Sequence, residues 1–272
     1  MLVLTCPDAD AVALTAADMV TALIRSRPAA VIGLAAGATP QAMYTELVRR
    51  HADGLDFSGV TVFGLDEYLD LDSGHPASCD ATLRRHLVER VNLQPARTHL
   101  LDSRPAGDLL AVCAAHERAI AAAGGLDLQI LGLGVNGHIG FNEPGCSLSG
   151  PTRPVGLSRS TRTVNKPAFA PDREVPALAV SMGIGTILAA RRIMLLATGP
   201  AKAGAVAGAV EGPVGARLPA SALQMHADAV MILDEAAATG LEGREDYDMA
   251  ARALLARPEL ARSYGLSPIR AP

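Results

Sequence analysis

Short runs of almost unbroken apolar residues recur along this chain, most of them followed by a stretch with helical spacing. That alternation limits what the chain can fold into more than any other feature. Leu2–Thr5, Ala30–Ala35, Val60–Leu65, Leu126–Leu133, Ala177–Met182, Ile193–Ala197 and Ala229–Leu233 read as strands. Ala9–Ile24, Pro40 to about His51, Ala81–Val88 and Leu109–Ala122 carry helical spacing. A strand that is apolar on both faces needs cover on both, and intervening helices supply it while returning the chain for a parallel neighbour. The expected fold is an α/β, doubly wound, mostly parallel sheet with helices on both faces. With 272 residues, 49% of them hydrophobic, the chain can bury one large core, and 1–272 reads as a single domain. One stretch departs from the alternation. Gly145–Arg173 is polar, broken by proline and rich in Ser, Thr and Arg, which predicts a lid inserted at about 145–173.

Composition removes several classes of function. The net charge is −4 and aromatic residues make up 3% with no Trp, so neither a phosphate-neutralising surface nor stacking platforms for nucleic acid are expected. Met1–Leu4 is apolar, but no basic segment precedes it and Asp8 and Asp10 follow, so it reads as a first strand and not a leader. No apolar run reaches the length of a membrane span. The cysteines Cys6, Cys79, Cys113 and Cys146 lie far apart, as reduced thiols in a cytoplasmic protein would.

In open parallel sheets ligands bind beyond the carboxyl ends of the strands, so the residues that follow each strand carry the functional information. Gly33–Pro40 runs from a strand into a small-residue turn, with Thr39 placed to cap a helix and Pro40 suited to its first turn. Free backbone N–H groups there could hold an anion, and the same residues suit a plain strand–helix connection. Asp66-Glu67-Tyr68 leaves the third strand; acids in such a place are solvated, act as a general base, or cap the next turn. Gly132–Gly145 brings Asn136, His138 and Glu143 into one glycine-rich loop. A histidine with a nearby carboxylate moves protons near neutral pH, whereas zinc needs further His or Cys ligands that do not stand close by; no metal is expected. Lys202 follows the strand Ile193–Ala197 at the start of a helix, as a second anion contact or a solvated side chain. All four places fall on one edge of the expected sheet.

With these residues in place, the chain resembles the glucosamine-6-phosphate deaminase (glucosamine-6-phosphate isomerase) family. The resemblance runs from the Gly33–Pro40 turn to Gln224-Met225-His226 and Asp234-Glu235. It rests most on Leu65-Asp66-Glu67-Tyr68 and on Gly137-His138-Ile139-Gly140-Phe141-Asn142-Glu143-Pro144. It implies a Rossmann-like fold and an aldose–ketose isomerisation of glucosamine 6-phosphate with loss of ammonia, giving fructose 6-phosphate without a cofactor. Asp66 matches the base that takes the C2 proton. His138 matches the group that opens the pyranose ring by shuttling the O5 and O1 protons, and Glu143 its carboxylate partner. Asn136 stands where many members carry an aspartate and others an asparagine. Gly37, Ala38, Thr39 and Lys202 match positions that hold the phosphate.

The chain also departs from that pattern. Ala36 and Ala38 replace a hydroxyl residue and a Gly or Ser, which removes at least one possible bond to phosphate. The lid reads Asn165-Lys166-Pro167, without the arginine that the family usually has near Pro167, which leaves Lys166 as the candidate contact. After His75-Pro76, Ala77-Ser78-Cys79-Asp80 stands where aromatic residues are common. Some members are hexamers activated by an N-acetylated sugar phosphate bound between subunits. Here Val155 replaces a lysine and Cys146 a serine beside Arg153, so no activation by N-acetylglucosamine 6-phosphate is expected. Alternative functions are a deaminase or isomerase of another hexosamine phosphate, a hydrolase like 6-phosphogluconolactonase, and a non-catalytic sugar-phosphate sensor. Oligomeric state and the roles of Arg159 and Arg162 stay open.

Overall fold

In the computed structural model, which describes residues 1–72, 74–169 and 174–268, the strands form two sheets. They are β1 (Leu2–Cys6), β2 (Val31–Leu34), β3 (Thr61–Gly64), β4 (Asp66–Tyr68), β5 (Thr98–His99), β6 (Leu128–Gly132), β7 (Arg153–Gly156), β8 (Leu178–Ser181), β9 (Arg192–Ala197) and β10 (Ala229–Asp234). Seven run parallel in the order β1-β10-β9-β6-β2-β3-β5. The helices that matter here are α1 (Ala9–Ser26), α2 (Ala38–Ala52), α3 (Cys79–His86), α4 (Leu109–Ala122), α5 (Arg159–Asn165), α6 (Ile184–Leu188) and α7 (Ala203–Val210).

The unbroken apolar strands split their side chains between two cores, because successive residues of a strand point to opposite faces. Leu2, Leu4, Met194, Leu196, Val230 and Ile232 pack with α1, α2 and α3 on one side. Val3, Ile193, Leu195, Met231 and Leu233 pack with α4, α6 and α7 on the other. The sheet is thus doubly wound, as expected. Its winding reverses between β2 and β6, where Gln129 lies fully buried against β2. A Cβ on Gly33 would overlap Gln129 Oε1 at 2.0 Å, so the absence of a side chain at Gly33 leaves the room that the buried amide takes. Ligand crevices form at such a reversal.

One strand assignment is corrected and one strand is added. Ala177–Met182 is a strand, but its core, β8, belongs to a separate antiparallel sheet ordered β4-β8-β7. Asp66-Glu67-Tyr68, which leaves the third strand, forms a further strand, β4, with Asp66 paired to Ser181. The small sheet stands past the end of β3 and backs the cavity described below. Within the expected lid, Arg153–Gly156 forms β7 and Arg159–Asn165 forms α5, capped by Ser158 Oγ accepting from Thr161 N–H at 3.2 Å. Residues 170–173 of that segment lie outside the described residues. Among the described residues, no helix is long and apolar enough to cross a membrane.

Candidate active site

A cavity of about 660 Å³ opens beyond the carboxyl ends of β2, β3, β6 and β9, and each of these ends contributes to its wall. From β2 comes the turn Ala35–Thr39, held by Tyr44 OH donating to Ala35 O at 2.9 Å and Gln41 Nε2 donating to Ala36 O at 3.0 Å. Helix α2 starts at Ala38, two residues earlier than the sequence suggests, with Gly37 at the cap and no side-chain capping bond. Thr39 is therefore not the cap. Its Oγ1 lies 3.2 Å from Thr198 Oγ1 and ties the turn after β2 to the turn after β9. First-turn N–H groups without a side-chain cap, lined up on a cavity, favour an anion.

The β9 end adds a cation. Lys202 closes the short turn Pro200–Lys202 and occupies the cap position of α7, half-buried and on the cavity wall. Burial lowers its ammonium below the ordinary lysine value. The preceding Gly199 N–H donates to Asp234 at 2.9 Å and 3.0 Å, which fixes the turn to β10.

The two acids after β3 separate into different roles. Asp66 faces the cavity, and its carboxyl is raised to about 7 by burial. The Cys79 thiol works against that rise, and the charge on Glu67 adds to it. Glu67 points the other way and is fully buried. It accepts from Tyr68 N–H at 2.7 Å, Ser78 Oγ at 3.0 Å, Cys79 N–H at 3.0 Å and Asp80 N–H at 2.8 Å. Glu67 thus caps α3, where a carboxylate meets the positive end of the helix.

The loop after β6 builds a directed histidine. Asn136 Nδ2 donates to Glu143 Oε2 at 2.8 Å, so its Oδ1 is the atom 2.7 Å from His138 Nδ1. An amide oxygen only accepts, so the His138 proton sits on Nδ1 and the Nε2 lone pair is left free. His138 and Glu143 are 3.7 Å apart at nearest, so the acid acts on the ring through Asn136 and not by a direct bond. Burial keeps His138 below the ordinary histidine value, which makes it neutral at neutral pH. Burial pushes Glu143 up, but bonds from Thr161, Asn136 and Ser158 outweigh it and hold the acid below its ordinary value. Gly134 is required here: a Cβ on it would meet the His138 ring at 2.3 Å.

Sequence reasoning missed a third wall. Thr82, Arg85 and His86 of α3 line the cavity, at the i, i+3 and i+4 spacing of one helix face. That spacing was the available signal. From the segment expected as a lid, Thr161, Val164, Asn165, Ala168 and Phe169 line it as well. Phe169 packs on Tyr68 and His75, with ring centroids 5.1 Å and 5.5 Å away. Lys166 stands exposed and off the cavity wall. Arg162 turns to Val175 O at 3.1 Å and Glu174 at 3.5 Å, and neither it nor the exposed Arg159 lines the cavity.

The chain is similar to known proteins over most of its length. The family model for glucosamine-6-phosphate isomerases/6-phosphogluconolactonase matches residues 8–232. A glucosamine-6-phosphate deaminase of Pseudarthrobacter chlorophenolicus is 49% identical over 232 residues, covering 85% of this chain and 89% of that protein. One from Cellvibrio japonicus is 47% identical over 248 residues, covering 91% and 94%. Among solved structures, a monomeric glucosamine-6-phosphate deaminase of the NagB superfamily is 38% identical with a TM-score of 0.84, covering 88% of this chain and 100% of that one. The 6-phosphogluconolactonase of Trypanosoma brucei shares the fold at 19% identity and a TM-score of 0.72, covering 88% and 98%.

Proposed function

The chain belongs to the glucosamine-6-phosphate isomerase/6-phosphogluconolactonase family, and we propose from that premise how its cavity carries out the deaminase reaction. The protein is a glucosamine-6-phosphate deaminase. The overall change is glucosamine 6-phosphate plus water to fructose 6-phosphate plus ammonia. The observation that carries the mechanism is a carboxyl raised to about 7 and a neutral histidine with its proton fixed on Nδ1, both on one cavity.

The phosphate would rest on the N–H groups of Gly37, Ala38 and Thr39 with Lys202 beside them, because a dianion gains most where helix donors and a half-buried ammonium coincide. With the ring thus oriented, His138 Nε2 accepts the O1 proton and returns one to O5, which opens the pyranose to the aldehyde. The imidazolium that forms in between is stabilised through Asn136 by the ionised Glu143. Asp66 then removes the C2 proton, which the adjacent carbonyl acidifies, and delivers it to C1. With one ammonium proton passed to O1, the product is the C2 iminium of the 1-hydroxymethyl compound; water adds to C2, and the carbinolamine collapses to the ketone with release of ammonia. Two acid–base groups suffice because they work on different protons.

In this reading 145–173 is the lid of a single domain, its α5 face closing over the bound sugar. Arg85 supplies a cation near the cavity in place of the arginine absent at Pro167.

The test compares substrates side by side: glucosamine 6-phosphate, other hexosamine 6-phosphates, and 6-phosphogluconolactone. The account expects the highest kcat/KM on glucosamine 6-phosphate, with ammonia and fructose 6-phosphate formed in equal amounts. Preferential hydrolysis of the lactone would overturn it.

A further inference from the structure

Ser158, Ser160 and Thr161 form the cap and first turn of α5, and each of them touches the relay of Asn136, His138 and Glu143. Ser158 N–H donates to Glu143 Oε1 at 3.1 Å. Asn136 Nδ2, besides its bond to Glu143, donates to Ser160 Oγ at 3.2 Å. Thr161 is 2% exposed and lines the cavity, with its Oγ1 3.3 Å from His138 Nδ1. The ring proton lies on Nδ1, 2.7 Å from Asn136 Oδ1, so the Thr161 oxygen meets the same N–H as an acceptor. Ser158 Oγ holds it there, accepting from Thr161 N–H at 3.2 Å and donating to Thr161 Oγ1 at 3.1 Å.

We propose that Thr161 is a positioning residue for ring opening: its Oγ1 is the second acceptor for His138 Nδ1–H, which restrains the ring and favours the imidazolium that forms as O1 gives up its proton. The proposal rests on His138 being the group that opens the ring. A hydrogen bond strengthens when its donor becomes charged, so an acceptor on Nδ1 gains more from the imidazolium than from the neutral ring. Two acceptors also hold a side chain more closely than one.

Other groups around the ring act on it independently of Thr161. Glu143, 3.7 Å from Nδ1, favours the charged form, and Lys202 opposes it. Asp66 stands on the same cavity wall. Burial outweighs these charges and keeps His138 below the ordinary histidine value. All of them stay in place when only the Thr161 hydroxyl is removed, so a change in the titration of His138 reports that hydroxyl.

Thr161→Val removes the oxygen and keeps the branched shape, whereas Thr161→Ser keeps the oxygen. The chain has seven histidines, and His138→Gln assigns the His138 signal in protein carrying 15N-labelled histidine. Titration by NMR is expected to show His138 protonating about half a unit to one unit lower in Thr161→Val, and near the wild-type position in Thr161→Ser. In parallel, kcat/KM on glucosamine 6-phosphate is expected to fall by about 3- to 10-fold in Thr161→Val, with most of the loss recovered in Thr161→Ser. Coincident titrations in wild type and Thr161→Val overturn the proposal, as does a shift in Thr161→Ser equal to that in Thr161→Val. A shifted titration with undiminished kcat/KM overturns the role in ring opening. The titration is read without substrate, so it separates a failure of this contact from a failure of the deaminase reading, which the turnover assay shows.

Discussion

Asp66 and His138 divide the proton transfers because their surroundings hold each in its reactive form near neutral pH. Burial raises the carboxyl to about 7 and lowers the imidazole, so near neutral pH a substantial share of Asp66 is an ionised base while His138 is neutral. A protonated Asp66 cannot accept the C2 proton. kcat/KM should therefore fall as pH drops through about 7, a limb that a steady-state pH profile will locate. The same raised value has a cost in stability. A group whose folded pKa exceeds its unfolded value contributes stability below the unfolded pKa and loses it as pH rises through the folded one. Asp66→Asn should accordingly have a higher Tm than wild type at pH 8, with the difference vanishing near pH 4, as thermal unfolding at the two pH values will show. Both effects belong to one side chain held in an unfavourable place for its chemistry.

At the scale of elements, the junction of β4 and α3 decides whether that side chain stays in place. Four donors converge on the buried Glu67 carboxylate, so Glu67→Ala leaves them without an acceptor and loosens the helix that carries Cys79 and Arg85. An unfolding free energy lower by about 2–4 kcal/mol is expected, measured by urea denaturation. The sequence reads Asp66 and Glu67 as a pair that could be bases or caps; only the fold shows that one does each. Periodicity says that neighbouring strand residues face opposite ways, but not which of the two meets the cavity, and the helix that Glu67 caps begins twelve residues on. Likewise, Ala177–Met182 is legible as a strand, but its partner is a long-range choice. The start of α2 was misread at Thr39 because a cap oxygen and a free hydroxyl look alike in a sequence; the bond to Thr198 decides between them.

For the whole molecule, the doubly wound sheet followed from the alternation alone, since apolar runs open on both faces have few other ways to be covered. The gathering of Asp66, His138 and Lys202 on one cavity, with Asn136 behind His138, followed from where the strands end. The α3 wall did not, because a polar helix face on a cavity reads like one in solvent. At this scale too lies regulation. Arg153 leans on Pro151 O at 3.4 Å and Val155 occupies β7, where an anionic effector would find one cation fewer. Adding N-acetylglucosamine 6-phosphate should leave the substrate saturation curve unchanged; a clear rise in affinity would refute this. The most direct test of the account is the release of ammonia and fructose 6-phosphate from glucosamine 6-phosphate by wild type and Asp66→Asn in parallel. The account predicts equal amounts of both products from wild type and a kcat lower by about 10²–10⁴-fold in a folded Asp66→Asn. Undiminished turnover in that variant would contradict it.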